Sequence, residues 1–549
     1  MKELRYFGPP GTGKSSLLAT EKIPAAAERF GPEKVIVTSF TRAAAREIAT
    51  KKSRTTGSTI PIPHQNVGTL HSLCYRLLGR PELTVGHIDQ WNEKHPGLTL
   101  TGKTGSESLD EGGVEELLSG MGDKVYNKLS IYRAKMLERR LWTPDVEVFS
   151  DKWEDWKAEL GLMDFTDLIE KCLDTMPMAP GNPRVMFIDE AQDFVPLQLA
   201  LIRSWGLHMD WHVLCGDDDQ CIYHFTGASP DAFINPPIDN KFKLVLSQSH
   251  RVPLEVFERA NRVIERVGIR EPKIYQPRNA KGVVRNDMSS YASPESSVLE
   301  AIDIASSGQT VMILGSCAYM LDSIKRILLE NAAPFHNPYR RRRGDWNPLA
   351  GSGNGVSARD LLLAFIGTGP DGEYWTIEQL YKWSRFIKVG REGLLRKRAA
   401  AIHKGMKEAL ERNDPGLHSS RHTVKEILSP DAIKPAMDRN VDWLFDNLKS
   451  ARKKTIDFAL RVYHQHGESG LDKVPNITIG TIHSVKGGEA DVVYLMPDIS
   501  FQAAEAMSRS GKETDAVHRL FYVGMTRAKN ELILMSPKNH RNNTLYVDL

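Results

Sequence analysis

The chain has 549 residues, 72 basic against 69 acidic, a net charge of +3, with 41% hydrophobic and 26% charged residues. At ~150 residues per domain this length predicts roughly three to four domains, and the composition excludes a disordered or collagen-like chain. Grip on a polyanion by bulk charge, which normally shows as a strongly basic domain, is excluded as well, so phosphate contacts must come from local placement of cations.

The first predicted element is a short strand, Leu4-Arg5-Tyr6-Phe7, followed by Gly8-Pro9-Pro10-Gly11-Thr12-Gly13-Lys14-Ser15 and a helix opening at Ser15-Ser16-Leu17-Leu18-Ala19. The middle segment matches GxxxxGK[ST] at every fixed position and lies between a strand and a helix, the context that a phosphate cradle needs. Gly11 and Gly13 let backbone N–H groups turn toward phosphate oxygens, and the helix N-terminus adds positive potential. Lys14 would reach the β- and γ-phosphates, and the Ser15 hydroxyl would ligate Mg²⁺. A stretch from about Gly79 to Leu160 carries no such chemistry; it is Gly/Ser-rich around 102–122, then helical and aromatic at Tyr126, Tyr132, Trp142, Trp153 and Trp156.

The apolar run Val185-Met186-Phe187-Ile188 reads as a buried parallel strand and ends in Asp189-Glu190-Ala191-Gln192-Asp193. Carboxylates at the carboxyl end of such a strand face the crevice that the phosphate loop also faces. Asp189 would hold Mg²⁺ through its water shell, and Glu190 would orient and deprotonate an attacking water. A further strand is expected at Val311-Met312-Ile313-Leu314. After the Gly351-Ser352-Gly353-Asn354-Gly355 break comes a basic helix candidate with Arg391, Arg396, Lys397, Arg398, Lys404 and Lys407. Duplex phosphates or a solvated face are both open readings of that helix, and the Arg340–Arg343 run raises the same question. The last predicted strand is Glu531-Leu532-Ile533-Leu534-Met535.

GPPGTGK is also common wording among AAA+ ATPases, but those place the acidic box closer to the loop. Here the box is followed by Cys215-Gly216-Asp217-Asp218-Asp219-Gln220-Cys221-Ile222-Tyr223, and the two together resemble motifs II and III of the UvrD/Rep/PcrA helicases of superfamily 1. In family order, Thr38-Ser39-Phe40-Thr41-Arg42-Ala43-Ala44-Ala45 resembles motif Ia and Gly68-Thr69-Leu70-His71-Ser72-Leu73 motif Ib. Leu246-Ser247-Gln248-Ser249-His250-Arg251 resembles motif IV, Thr481-Ile482-His483-Ser484-Val485-Lys486-Gly487-Gly488-Glu489 motif V, and Tyr522-Val523-Gly524-Met525-Thr526-Arg527-Ala528 motif VI. Asp164-Phe165-Thr166-Asp167-Leu168-Ile169 is similar to the segment where the family chain re-enters its first motor domain.

The resemblance implies an α/β fold of two RecA-like motor domains with parallel sheets, each interrupted by a mainly helical insertion. The first motor domain would take 1–78 and 161–270 around an insertion at 79–160. The second would take 271–349 and 476–549 around an insertion at 350–475, both insertions being short for the family. It implies ATP and Mg²⁺ as cofactors and single-stranded DNA with its duplex junctions as partner, with no membrane. Replication or repair proteins are candidate partners, and a monomer or weak oligomer is expected. Gly8 to Ser16, with Lys14 and Ser15 among them, would line the nucleotide with His250 and Glu489, the latter on the ribose. Catalysis would fall to Lys14, Asp189, Glu190, Gln220, Arg251 and Arg527, the two arginines acting as fingers. DNA contacts would be Phe40, Thr41, His71, Phe225 and His483, since single strands are held by stacking on aromatic faces. Lys486 stands where the 5′-to-3′ branch usually has Gln, which by analogy implies 3′-to-5′ movement.

Departures from the family pattern shape further expectations. His250 stands in place of a Tyr that stacks on adenine, and Thr226 in place of an Arg. Seven residues precede Gly8, too few for the family's upstream Gln motif, so weaker discrimination of ATP from GTP is expected. No length remains after motif VI for the nuclease that some relatives carry. A DNA-stimulated ATPase that displaces or regulates bound proteins without efficient unwinding is the alternative function. Five cysteines, Cys74, Cys172, Cys215, Cys221 and Cys317, form no CxxC pair, which fits a reducing, cytoplasmic setting. No apolar h-region opens the chain, and no window approaches about 18 consecutive apolar residues.

Overall fold

Short runs rich in Val, Ile and Phe become strands buried on both faces, as parallel sheets require. The computed structural model describes residues 3–50, 62–102, 120–338, 346–350, 355–369, 372–395, 398–412, 421–538 and 546–549. Strands β1 (Glu3–Phe7), β2 (Val35–Ser39), β3 (Val67–Gly68), β4 (Val185–Asp189), β5 (Trp211–Gly216) and β6 (Lys243–Val245) lie in the order β3-β2-β4-β5-β1-β6. All their pairings are parallel, and every residue of β2 and β4 is buried. The register aligns Ser39 with Asp189 and Phe7 with Gly216. Four loops that read as chemical motifs therefore leave one edge of the sheet, where ligands of α/β folds bind. The α/β, parallel-sheet expectation holds.

The chain forms two compact units: Met1–Ser290 with Leu314–Met320 and Thr481–Leu549, and Tyr291–Ile313 with Leu321–Gly480. The remaining strands are β7 (Gln248–Pro253), β8 (Gln276–Arg278), β9 (Val283–Asp287), β10 (Val311–Gly315), β11 (Phe335–His336), β12 (Ile477–Thr481), β13 (Ala490–Leu495) and β14 (Ala528–Met535). In the first unit β7 pairs with β8, and β14 pairs with both β13 and β9, all parallel. In the second, β11 runs parallel to β12. Its helices include Ala358–Ile366, Ile377–Ser384 and Ser450–Asp472. They enclose Phe365, Trp375 and Trp383, with Trp375 5.0 Å from Trp383 and its indole N–H given to the Phe365 carbonyl at 2.7 Å. Among the described residues no helix is long and apolar enough to cross a membrane.

The basic helix candidate is Arg398–Glu411, and its lysines face acids one turn on: Lys404 is 3.9 Å from Glu408 and Lys407 3.6 Å from Glu411. Arg391 pairs with Asp431 at 2.8 Å. Cations so matched are a solvated face, and the duplex-binding reading of this helix loses its charge argument. Arg396, Lys397, the Arg340–Arg343 run and Gly351–Asn354 lie outside the described residues.

The stretch after residue 79 supplies a helical aromatic core in the first unit. Helices Met121–Ala134 and Pro144–Leu160 bury Val125, Leu129, Phe149, Trp153 and Trp156 against Trp91. These helices are bolted to the re-entry helix Phe165–Thr175, which opens with a reciprocal capping box between Asp164 and Asp167. Asp164 Oδ2, 2% exposed, accepts from Arg133 at 2.9 Å, from the Trp153 indole at 2.9 Å and from Lys157 at 3.2 Å. Arg133 also donates to Asp167 at 2.6 Å and Glu170 at 2.5 Å. Burial works to raise the Asp164 carboxyl, but Arg133 and Lys157 hold it well below the usual carboxylate range.

Removing one partner of such a cluster strands a buried charge and costs about 3–5 kcal/mol. Arg133→Met, which leaves Lys157 as the remaining cation on Asp164, should therefore lower the free energy of unfolding by up to about that much, seen as a lower urea midpoint by tryptophan fluorescence. Because the Asp164 pKa is depressed, its contribution is present above about pH 4, the ordinary aspartate value, and is lost as pH falls further. An unchanged midpoint in the variant would contradict this role.

Candidate active site

The loop after β1 is held from several sides. Gly8 N–H donates to Gly216 O at 3.1 Å, Thr12 Oγ1 to Pro9 O at 2.8 Å, and Lys14 Nζ to Gly8 O at 2.5 Å. Gly11 (φ +74°) and Gly13 (φ +80°) adopt left-handed backbone, which glycine permits at little cost. At Gly11 the constraint is also spatial: a Cβ would sit 2.5 Å from Arg251 Cβ and 2.8 Å from Ser249 Oγ. Strand β7 thus packs directly on the loop. The His250 N–H donates to Gly11 O at 2.8 Å, while Ser249 Oγ and the Tyr275 hydroxyl donate to Pro10 O at 3.0 and 2.9 Å. Lys14–Leu17 starts a helix that continues through Leu18–Lys22 to Phe30.

Strand β4 delivers the acidic box to this loop. Ser15 Oγ donates to Asp189 Oδ2 at 2.9 Å. Glu190 sits at φ +53°, ψ +42°, left-handed backbone that is uncommon for a residue with a Cβ and tends to occur at functional sites. Gln192 ties the box to the next strand: its Nε2 donates to Glu190 Oε2 at 2.5 Å, and its Oε1 accepts the Asp217 N–H at 2.9 Å. Asp193 is 2% exposed and receives Lys486 Nζ at 2.7 and 2.5 Å. The same ammonium donates to the Gln220 carbonyl at 2.8 Å and lies 5.0 Å from the centre of the Tyr223 ring, a cation–π distance.

The expected catalytic residues fall into three linked groups. Lys14, Ser15, Asp189 and Glu190 line the loop and the end of β4. Gln220 and Arg527 meet, with Arg527 NH2 donating to Gln220 Oε1 at 3.2 Å and Gln220 Nε2 to Asp217 Oδ2 at 2.7 Å. Arg251 and Glu489, expected at opposite ends of a nucleotide, pair with each other at 2.6 Å. His250 is exposed, and Pro9, Pro10, Thr12 and Ser16 occupy the loop and first helical turn as expected.

Four aromatic rings form a continuous track. Phe40 stacks on Tyr223 (5.2 Å, 13°), Tyr223 lies 6.0 Å from Phe225, and Phe225 meets His483 edge-on at 5.4 Å. Phe40, Phe225 and His483, expected to contact DNA, are thus joined through a tyrosine that was not among the expected contacts. His71 lies elsewhere, edge-on to Phe165 at 5.9 Å, and burial pushes its imidazole down to about 4. Thr41 is exposed and caps the helix Arg42–Thr50 by accepting the Ala44 N–H at 3.2 Å.

Several residues of the site were missed by sequence reasoning. Asp193 and Gln192 lie within the acidic box and could have been weighed; Lys486 was read only as a marker of polarity. Tyr275, which holds Pro10 O, and Lys273, which lies 3.1 Å from Asp217, fall in a segment with no motif, and nothing local announces them.

Comparison with known proteins agrees with this geometry. Residues 6–239 match the profile of the UvrD/REP helicase N-terminal domain, and residues 434–539 that of the UvrD-like helicase C-terminal domain. A Mycoplasma capricolum protein named as a DNA helicase II homologue is 22% identical, the match covering 100% of this chain and 84% of the relative. The ATP-dependent DNA helicases PcrA of Bacillus subtilis and Staphylococcus aureus are each 22% identical, covering 96% and 95% of this chain and 80% of each relative.

The carboxylates of the box suit a hard divalent cation, which prefers oxygen ligands. Asp189 Oδ1 is buried with no hydrogen-bond partner. Burial and the neighbouring Glu190 push the Asp189 carboxyl up to about 7, against the Ser15 hydrogen bond and Lys14. Burial also works to raise Glu190, but Lys14, Lys486, the Gln192 bond and Arg527 hold it below its ordinary value. A raised acid must lose its proton to ligate, so Mg²⁺ affinity should climb about tenfold from pH 6 to pH 8. Calorimetry in buffers of different ionisation enthalpy should show proton release on binding at pH 6 and little at pH 8. Asp189→Asn should remove the release, and a pH-independent affinity in the parent would contradict the assignment.

Proposed function

We propose that this chain, which belongs to the UvrD-like helicase family, is an ATP-driven DNA motor that moves 3′ to 5′ along a single strand and separates the strands of a duplex. The observation that carries the reading is the Lys486 ammonium, shared between the Asp193 carboxylate, the Gln220 carbonyl and the Tyr223 ring. One side chain thereby joins the acidic box to the aromatic track, which is the kind of connection a motor needs between hydrolysis and its strand. The motor domains would be those expected from the motifs, 1–78 with 161–270 and 271–349 with 476–549.

In this reading Gly8 to Ser16 cradle the triphosphate, with Lys14 on the β- and γ-phosphates. Ser15 and Asp189 would hold Mg²⁺, which when bound neutralises phosphate charge. Glu190 orients and deprotonates the attacking water, as a carboxylate held ionised by four neighbours can do. Gln220 senses the γ-phosphate, and Arg251 and Arg527 supply positive charge to it, an effect worth roughly 10³–10⁵ in rate when such fingers engage. Arg251 would leave Glu489 to do so, freeing that carboxylate for the ribose. Phe40, Phe225 and His483 would meet the strand along the aromatic track, with Thr41 and the separate His71 as further contacts, and Phe225 offers a base-stacking ring worth ~1–3 kcal/mol. Replication or repair proteins remain the candidate partners.

A second reading, a DNA-stimulated ATPase that displaces bound proteins without efficient unwinding, is favoured by one feature. Thr226 gives its hydroxyl to the Tyr223 carbonyl at 2.7 Å, so the position contributes no cation to the strand. Unwinding of 3′-tailed and 5′-tailed duplexes, measured beside DNA-stimulated ATP hydrolysis, separates the two. Unwinding of the 3′-tailed duplex alone is expected; hydrolysis with no unwinding on either would leave the second reading standing. Glu190→Gln should abolish turnover in both assays while a fluorescent ATP analogue still binds.

A further inference from the structure

Motif III ends a strand in three consecutive aspartates, and all three are buried: Asp217 and Asp218 are 0% exposed and Asp219 1%. Their countercharge comes from a segment outside every motif. Lys273 Nζ, on a side chain only 2% exposed, lies 3.1 Å from Asp217, 2.5 Å from Asp218 and 3.0 Å from Asp219. Arg270 adds a two-pronged pair to Asp219 at 2.7 and 2.8 Å, and the Glu271 N–H donates to Asp218 at 2.9 Å. Asp219 and Asp218 therefore have other donors, whereas Lys273 is the one cation paired with Asp217 among the described residues.

Asp217 is the aspartate that touches the expected catalytic wall. Its Oδ2 accepts Gln220 Nε2 at 2.7 Å, and its Oδ1 takes the Asp219 N–H at 3.3 Å and Lys273. With the amide NH2 engaged there, Gln220 Oε1 is directed at Arg527 NH2, 3.2 Å away. Asp217 accepts at both oxygens, and Lys273 Nζ is the closest donor on the oxygen opposite Gln220. Without that ammonium the carboxylate keeps only the long Asp219 N–H contact at Oδ1 and can turn away from Gln220 Nε2. The amide is then released to rotate, and its oxygen no longer faces the Arg527 guanidinium.

We infer that Lys273 is a positioning residue for ATP hydrolysis: by anchoring the Asp217 carboxylate it fixes the side-chain amide of Gln220 in the orientation that engages Arg527. The inference rests on the ATP-hydrolysing reading of the site. It adds a determinant that acts through Gln220 and itself touches neither nucleotide nor strand.

The test is a double-mutant cycle on steady-state ATP hydrolysis with saturating single-stranded DNA. Lys273→Met should lower kcat by ~10–100-fold, the usual scale for a residue that orients a functional one, with the KM for ATP within about twofold. Lys273→Arg, which keeps a cation, should recover most of the loss. In a Gln220→Ala background the same Lys273→Met change should cost nothing further in kcat, because the amide it orients is gone. Melting temperatures of all four proteins are read in parallel. Equal loss of kcat with and without Gln220, or a kcat that follows melting temperature alone, would overturn the inference, as would a Lys273→Met enzyme with parental kcat. If Lys273→Met does not fold, Lys273→Gln, which also removes the cation, takes its place in the cycle, and an equal loss of kcat with and without Gln220 overturns the inference. Absence of DNA-stimulated hydrolysis in the parent chain would instead overturn the functional reading beneath it.

Discussion

Five aspartates buried at the carboxyl ends of two neighbouring strands set the terms for the rest of this structure. Asp189 and Asp193 follow β4, and Asp217, Asp218 and Asp219 follow β5. An uncompensated buried charge costs several kcal/mol even after relaxation, so this edge of the sheet can exist only if positive groups are brought to it. They come from far along the chain: Lys486 to Asp193, Lys273 to the three aspartates and Arg270 to Asp219. The nearly balanced total of 72 basic and 69 acidic residues thus conceals an uneven placement in which cations are buried against clustered aspartates.

The donors that read as phosphate contacts are likewise already engaged. Lys14 donates to Gly8 O, Ser15 to Asp189, Arg251 to Glu489 and Arg527 to Gln220. In the proposed function, recognition of a phosphate by these groups would be an exchange of partners. The net gain from such an exchange is modest compared with the gross strength of the bonds, which suits a site that must bind and release repeatedly. The left-handed Glu190 fits the same picture, because it aims a carboxylate at the loop while the next turn carries Gln192 back to β5.

Much of this was legible in the sequence because the signals were local. The strand–loop–helix context of Gly8–Ser15, the apolar run ending at Asp189 and the strand at Glu531–Met535 each carry their own periodicity and boundary residues, and each appears where expected. Pairings across long separations were not legible. Nothing in the Arg-Glu-Pro-Lys segment at 270–273 hints that its lysine meets three aspartates more than fifty residues earlier. The charge run after Arg391 left two readings open, and its i,i+4 partners Glu408 and Glu411 were visible in the sequence, whereas the pairing of Arg391 with Asp431 was not. Three of the four rings of the aromatic track, Phe40, Phe225 and His483, were expected, whereas Tyr223, which closes the segment resembling motif III, shows its part only when its ring is found between Phe40 and Phe225.

Gln220 shows how these separate pairings become one arrangement. Its side-chain amide is held at one end by Asp217 and at the other by Arg527, and its main-chain carbonyl is held by Lys486. A shift of Arg527 acts on the amide, and a shift of Lys486 acts on the backbone of the same residue. Tyr223 follows three residues later and stacks on Phe40. Because a packed, fully hydrogen-bonded network of this kind has few intermediate positions, changing one bond to Gln220 requires the others to adjust together. The buried aspartates that made the wall costly to build are thus also what fixes its parts to one another, and the link from phosphate loop to aromatic track follows from how their charges were neutralised.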